Sequence, residues 1–283
     1  MSELSASSPV VVVTGANGLV GARICEVLRE RGATVRAVVR RPATAPALEG
    51  LQEQVGEFFD PDFAALLVDG ADAVVTTVHP MGSDRETQHR IAVEGTAVLA
   101  QAALDAKVRR FVHISTSAVY ARFSGAGEQD ESSSLVPDDA NDYAVTKRDT
   151  DLALDAVDGI TRVLVRAPSI LGAGETSVWN TIRPAAIRDE EQARHTIADQ
   201  TFPWVHVDDL AVFTAQVATG EIATSTDPTT GPVATGCTAV NVAGAEHATV
   251  RDYYETVTGA LGVAPVWDDA PASTSRFRAD RAA

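Results

Sequence analysis

Five consecutive residues, Tyr143-Ala144-Val145-Thr146-Lys147, carry the most pointed chemistry in this chain. On a helix, positions i and i+4 share a face, so the phenol of Tyr143 and the ammonium of Lys147 can serve one site. A phenol with an ordinary pKa of about 10 is a poor base at neutral pH. A fixed positive charge beside it stabilises the phenolate and draws that pKa down. Lysine is otherwise scarce, Lys107 being the other one in 283 residues. That scarcity sets Lys147 apart from an incidental surface lysine.

A second group of residues is suited to holding phosphate. Thr14-Gly15-Ala16-Asn17-Gly18-Leu19-Val20-Gly21 follows a run of valines and opens an amphipathic stretch. One glycine permits a tight turn, the next lets the backbone approach a pyrophosphate, and the third lets helix and strand pack closely. The free N–H groups of the helix N-terminus then face the anion. With a strand before it and a helix after it, this turn makes Gly15, Asn17, Gly18, Leu19, Val20 and Gly21 candidate dinucleotide contacts. The next strand ends Val38-Val39-Arg40-Arg41-Pro42. An NAD-binding domain usually places an Asp or Glu there, on the ribose 2′-hydroxyl. Two guanidiniums instead suit the 2′-phosphate of NADP, which they can grip through paired hydrogen bonds. NADP(H) is therefore the expected cofactor, with NAD(H) second. Two solvated surface arginines are the bland alternative.

These side chains need a scaffold, and the hydropathy pattern outlines one. Apolar runs at 10–13, 34–39, 73–78 and 111–115, with a weaker one at 54–58, read as strands. Helical patterns lie between them: one from Leu19 that Gly32 stops, one at 62–67 and a long one at 86–106. The alternation predicts βαβ units with right-handed crossovers and a parallel sheet, an α/β doubly wound Rossmann fold. Further on, helices are expected at 142–157, 208–218 and 250–261, and strands at 161–166 and 238–242. Pro168 breaks the pattern, and 172–203 shows no clear strand. Residues 1–171 thus read as a dinucleotide-binding domain with the catalytic residues. Residues 172–283 read as a smaller, partly irregular substrate-binding region interleaved with it. Within that region, 219–237 is rich in Thr, Gly and Pro and reads as a flexible insertion. The tail at 268–283 is expected to fray.

Composition narrows the function. The net charge is −16 and 45% of residues are apolar. Such a negative field repels phosphate backbones and anionic lipid, so nucleic-acid and membrane partners are not expected. Any anionic ligand must be met by local positive groups. Cys25 and Cys237 are far apart, with no CxxC spacing, so no disulfide framework and no metal site are expected. Cys25 reads as a small buried apolar residue. The N-terminus lacks the pattern of a signal peptide, and no apolar run approaches the roughly 20 residues that span a bilayer. A cytoplasmic enzyme is expected. Few lysines and abundant Ala, Val and Asp resemble the usage of a high-GC bacterium.

The glycine turn and the later YxxxK together resemble the short-chain dehydrogenase/reductase family, in its extended, epimerase/dehydratase-like branch and the related atypical, NmrA-like branch. The likeness runs over roughly residues 9–262. It includes Arg166-Ala167-Pro168-Ser169-Ile170-Leu171-Gly172, Phe202-Pro203-Trp204-Val205-His206-Val207-Asp208-Asp209-Leu210-Ala211 and Asn241-Val242-Ala243-Gly244. It implies hydride transfer between a nicotinamide and the carbonyl or alcohol of a small organic molecule. Tyr143 would exchange a proton with the oxygen, and Lys147 would hold the ribose and tune Tyr143. Thr116, four residues before Tyr120, would orient the carbonyl. Ser115 and Ser117 flank it, and strand alternation can move that assignment by one.

Further cofactor contacts follow from the resemblance: Asp60 near the adenine, Thr77 at the end of the fourth strand, and Pro168 and Ile170 in the segment that closes over the nicotinamide. His79, Trp179 and Arg183 are candidate substrate contacts, with Asn180 and Arg188 beside them. Arg183 either meets a carboxylate or phosphate or is solvated, and His79 is either a ligand contact or a loop residue. Asp208 reads as a helix N-cap. Two departures stand out. Ala92 occupies a place where family members often have Asn, and His79 follows the fourth strand where small residues are usual. Three readings result: a simple NADP-dependent oxidoreductase, a nucleotide-sugar epimerase or dehydratase that retains its cofactor, and a non-enzymatic NADP sensor. The Tyr–Lys pair weighs against the last. By analogy with the family, a homodimer would pair through the YxxxK helix.

Overall fold

The computed structural model describes residues 8–121, 127–226 and 233–282. Its first half alternates strand and helix: β1 Val10–Thr14, α1 Leu19–Glu30, β2 Thr34–Val39, β3 Leu51–Val55, α2 Pro61–Val68 and β4 Ala73–Thr76. A continuous helical run follows, made of α3 Arg85–Gln88, a π-helical turn His89–Glu94 and α4 Gly95–Asp105. Then come β5 Arg110–Thr116, α5 Asp142–Asp155, β6 Thr161–Ala167 and β7 Ser169–Leu171. The second half holds α6 Arg183–Asp189, β8 His195–Thr196, β9 Trp204–His206, α7 Val207–Thr219, β10 Cys237–Asn241, α8 Val250–Leu261 and β11 Val266–Trp267.

Seven strands form one parallel sheet in the order β10-β6-β5-β4-β1-β2-β3. This is the doubly wound Rossmann arrangement, in which ligands bind where the strand order reverses, here between β1 and β4. Successive residues of β1 point to opposite faces. Val11 and Val13 join a core under α1 and α7, and Val12 joins the core under α2 and α4. A strand buried on both faces needs apolar residues at every position, which is why this stretch is a plain run of valines.

A smaller part is held on by short pairings. β7 pairs with β9 and β8 with β11. Ile187, Phe202, Val250 and Tyr254 form its own apolar cluster, with Trp179, Trp204 and Trp267 packed around it.

Several expectations are corrected. The third strand is Leu51–Val55 and not 54–58, because 56–60 turns into α2. β4 ends at Thr76, which frees Thr77 to Met81 to leave the carboxyl end of the sheet as a loop. The 172–203 stretch contains the two-residue β8 as well as helix. The N-cap of α7 is His206; Asp208 lies in the first turn and pairs with Arg23 of α1 at 2.6 Å.

The described part of the tail, 268–282, is docked on the body. The Gln129 amide donates to the Arg276 carbonyl and the Arg278 amide to the Gln129 carbonyl, and Phe277 is buried against Tyr120. An aromatic in a polar tail gave it enough apolar area to dock. Of the 219–237 insertion, residues 227–232 lie outside the described residues; on its flank Val233 and Ala234 are buried. Among the described residues no helix is long and apolar enough to cross a membrane. Among them, too, no cluster of His, Cys, Asp and Glu is arranged for a metal.

Candidate active site

A cleft of about 950 Å³ runs over the carboxyl ends of β1, β2, β4 and β5. Its floor is the glycine turn, and Gly15, Asn17, Gly18, Leu19, Val20 and Gly21 all line it. Gly15 has φ +69°, and a side chain there would meet Thr77 Oγ1 at 2.5 Å. A Cβ on Gly21 would strike the Gly15 carbonyl. Thr77 donates to the Thr14 carbonyl at 2.8 Å and so fixes the wall beside the turn. The Leu19 amide, one of the orphan donors of the α1 N-terminus, donates to Thr176 Oγ1 at 2.9 Å. This cradle of glycine backbone and helix N-terminus fits a dinucleotide pyrophosphate.

Arg40 and Arg41 stand exposed on the cleft just beyond β2. No carboxylate among the described residues engages either guanidinium. Elsewhere in this acidic chain arginines find acids, as Arg23, Arg148 and Arg166 do. Gly56, Glu57, Phe58 and Phe59 line the adjoining wall, with Arg90 on the π-helical turn. Asp60 is not among the lining residues. Its carboxylate caps α2, accepting from the Phe63 amide at 3.0 Å, a bond a helix start gives an Asp wherever one is available.

Tyr143 and Lys147 sit on α5, whose N-cap Asn141 accepts from the Ala144 amide. The Lys147 side chain is buried, and its Nζ donates to the Ile114 carbonyl at 2.8 Å. Burial brings its pKa down to about 8, and Asp151 opposes that shift. Tyr143 is also set by burial, which raises its phenol, while a hydrogen bond with Thr116 pulls the other way. The expected lowering of the Tyr143 pKa by Lys147 is therefore not what dominates. The phenol stays protonated at neutral pH, the form that can give a proton to a carbonyl oxygen. Thr116, Ser115 and Ser117 all border the cleft, as do Pro168 and Ile170.

His79 packs edge-on against Tyr143, with ring centroids 4.9 Å apart. Its Nε2 faces Gln88 Oε1 at 3.0 Å, and Gln88 Nε2 donates to the Ser83 carbonyl. That assignment makes His79 a donor at Nε2, in its neutral tautomer. Burial, then the charge of Lys147, lowers its pKa to about 4. Thr146 donates to the same Gln88 oxygen, so a buried amide joins the loop after β4 to α5. Ala92 lies on the neighbouring π-helical turn.

A buried chain of polar groups backs Lys147. Asp151, one turn along α5, pairs with Arg166 at 2.9 Å. Arg166 donates to the Tyr120 hydroxyl, which donates to Asn241 Oδ1 at 2.7 Å. Asn241 Nδ2 donates to the Arg278 carbonyl in the tail.

Beyond Tyr143 the cleft is walled by Pro80, Met81, Val178 and Trp179. Arg183 is turned elsewhere: its guanidinium donates to the Tyr254 hydroxyl at 3.0 Å and lies near the Trp179 and Tyr254 rings. Asn180 Oδ1 accepts from the Gly172 amide, and Arg188 pairs with Asp189 on the surface. Sequence reasoning missed Gln88, Arg90, Thr176, Phe58, Phe59, Met81 and Val178. They lie on loops and helix ends, where no periodicity marks the side that faces a ligand.

The model of the NAD dependent epimerase/dehydratase family matches residues 11–224. A 3 beta-hydroxysteroid dehydrogenase/Delta 5-->4-isomerase of Mycobacterium tuberculosis is 32% identical over 191 residues, 63% of this chain and 51% of that protein. Cinnamoyl-CoA reductase 2 of Arabidopsis thaliana is 38% identical over 122 residues, 39% of this chain and 36% of that one. The chain thus matches about half, or less, of the length of these relatives. Among solved structures, DesIV, a dTDP-glucose 4,6-dehydratase from Streptomyces venezuelae with NAD and TYD bound, superimposes with a TM-score of 0.75. That likeness, at 21% identity over 95% of this chain and 88% of DesIV, is one of fold.

Proposed function

The chain belongs to the NAD dependent epimerase/dehydratase family, and we propose that within it the protein is an NADP(H)-preferring oxidoreductase acting on the carbonyl or alcohol of a small organic molecule. The observation that carries this reading is the pair Arg40 and Arg41: unpaired guanidiniums on the cleft, at the end of the strand where a 2′-hydroxyl would call for an acid. In a chain of net charge −16, free cations at that spot suit a 2′-phosphate.

Bound along the cleft, the nicotinamide supplies or accepts the hydride. The chain's own residues do the rest. The glycine turn and the α1 N-terminus hold the pyrophosphate. Lys147 holds the ribose on the nicotinamide side, and Pro168 and Ile170 close over the ring. Thr116 directs its hydroxyl to the carbonyl oxygen and stabilises charge developing there. Tyr143, protonated at neutral pH, donates to that oxygen in the reductive direction. A homodimer paired through α5, where Leu152 is exposed, and a cytoplasmic setting go with this reading.

The likeness to DesIV favours a second reading, a nucleotide-sugar epimerase or dehydratase. Its substrate would bring a diphosphate, and the cation best placed in sequence to meet it, Arg183, is committed to Tyr254. A third reading, an NADP sensor without chemistry, leaves Tyr143 without a task.

The test is turnover of NADPH with carbonyl substrates by the wild type and by Tyr143→Phe. We expect the variant to lose about 100- to 10,000-fold in kcat, the usual worth of a positioned acid, with NADPH affinity within about twofold. Unchanged turnover would contradict the assigned role of Tyr143.

A further inference from the structure

The far half of the cleft is greasy and uncharged. Met81 (62% exposed) and Val178 (41%) line it, and Ile182 (52%) follows Val178 on the same π-helical segment. Two of the six large apolar side chains that the described residues leave exposed, Met81 and Val178, thus line this mouth. Scattered exposed apolar residues need no explanation, but a cluster at the rim of a binding cleft does. The wall behind it is stiff. Trp179 stands edge-on to Phe202 at 4.9 Å and to Tyr253 at 5.3 Å, and the Tyr253 hydroxyl donates to the Trp179 carbonyl at 2.6 Å.

Charge is distributed the opposite way. The exposed lining arginines Arg40, Arg41 and Arg90 belong to the adenosine side, at the end of β2 and on the π-helical turn. The remaining lining cation among the described residues is Lys147, which is buried and donates to the Ile114 carbonyl, and His79 beside Tyr143 is neutral. Arg183, behind Trp179, does not line the cleft; its Nη2 donates to the Tyr254 hydroxyl and its Nε is buried without a partner. An anionic substrate would face the field of a chain of net charge −16, with no exposed lysine or arginine beside Met81, Val178 and Trp179 among the described lining residues to offset it.

Resting on the oxidoreductase reading above, we infer that the substrate is an uncharged ketone or aldehyde with an apolar hydrocarbon or aryl body, held between Met81 and the Val178–Trp179 wall. Its carbonyl lies at Tyr143 and Thr116, and its body takes the apolar surface out of water. A carboxylated or phosphorylated carbonyl compound, or a nucleotide sugar, is excluded by the same surfaces.

The holoenzyme, loaded with NADP⁺, is titrated calorimetrically with straight-chain methyl ketones from butanone to octanone, and with pyruvate and UDP-glucose. Affinity should rise about threefold to fourfold per added methylene, the worth of burying one CH₂. Pyruvate and UDP-glucose should bind more weakly than heptanone. In Val178→Asp and Met81→Asp the dependence on chain length should flatten while NADPH affinity stays within about twofold, the control for folding. A flat series in the wild type, or pyruvate or UDP-glucose binding more tightly than octanone, overturns the inference. Failure of the protein to bind NADP⁺ or NADPH at all would instead sink the oxidoreductase reading on which it rests.

Discussion

The two halves of the cleft are made in different ways. The phosphate-binding part of the cofactor half is backbone and helix end, laid down by one contiguous stretch from β1 through α1 to the arginines after β2. The substrate half is side chain, assembled from the loop after β4 and the 172–182 segment and backed by Phe202 and Tyr253 of α8, which meet only in three dimensions. The first half depends on glycines that keep side chains out, as at Gly21. The second depends on aromatics that fill space, with Trp179, Phe202 and Tyr253 in mutual contact. A phosphate-binding turn is thus set by geometry within a few residues, whereas a substrate wall can be rebuilt by changing any of several distant segments.

The buried polar chain from Lys147 to the tail backs the cleft from outside it, and breaking it gives the largest expected effect. Asp151→Asn leaves Arg166 buried without its acid, which should lower stability by about 3–5 kcal/mol in a urea unfolding curve. Because Asp151 supports the charge of Lys147, whose pKa is about 8, the alkaline loss of activity in the surviving folded enzyme should move to lower pH. An alkaline limb that stays in place would detach Asp151 from Lys147.

Phe277→Ala tests whether the tail belongs to the folded unit. Phe277 packs on Tyr120, the next link in that chain. Loss of a buried Phe should remove about 3 kcal/mol, read from thermal or urea unfolding. A change within about 0.5 kcal/mol, the size of an ordinary surface substitution, would return the tail to the frayed state its composition predicts.

The smallest stability effect comes from the loop after β4. His79 is held neutral, with a folded pKa of about 4 against an ordinary value of 6.5. The unfolded chain binds the proton first as pH falls, so stability is whole above pH 6.5 and is lost as pH falls toward 4. Allowing for its partial exposure, this loss is on the order of 2 kcal/mol. It should be absent from His79→Gln, and equal acid sensitivity in the two proteins would remove His79 as its source.

These contrasts also explain what could be read from the sequence. The valine run, the glycine turn and YxxxK encode their structure locally, so β1, α1, β2 and the Tyr–Lys face of α5 were legible. β3 shifted because Gln and Glu in it hide an edge strand of a half-buried kind. Asp60 and Arg183 were legible as ionisable groups but not as to their partners, an N-cap amide in one case and a tyrosine 71 residues away in the other. Phe277 gave the one signal against fraying, an aromatic in an otherwise polar tail. The apolar lip at Met81 and Val178 gave none, since a single exposed apolar residue in a loop looks the same with or without a ligand.

The central claim is NADP(H) preference set by the arginines after β2, and a matched titration with NADPH and NADH tests it most directly, followed by tryptophan fluorescence in the wild type and in Arg40→Ala and Arg41→Ala. The account predicts tighter binding of NADPH, a preference that falls by about tenfold or more when the guanidinium on the 2′-phosphate is removed, and NADH affinity that barely changes, as loss of a charge-assisted bond implies. Equal affinities in the wild type, or a preference for NADH, would contradict it.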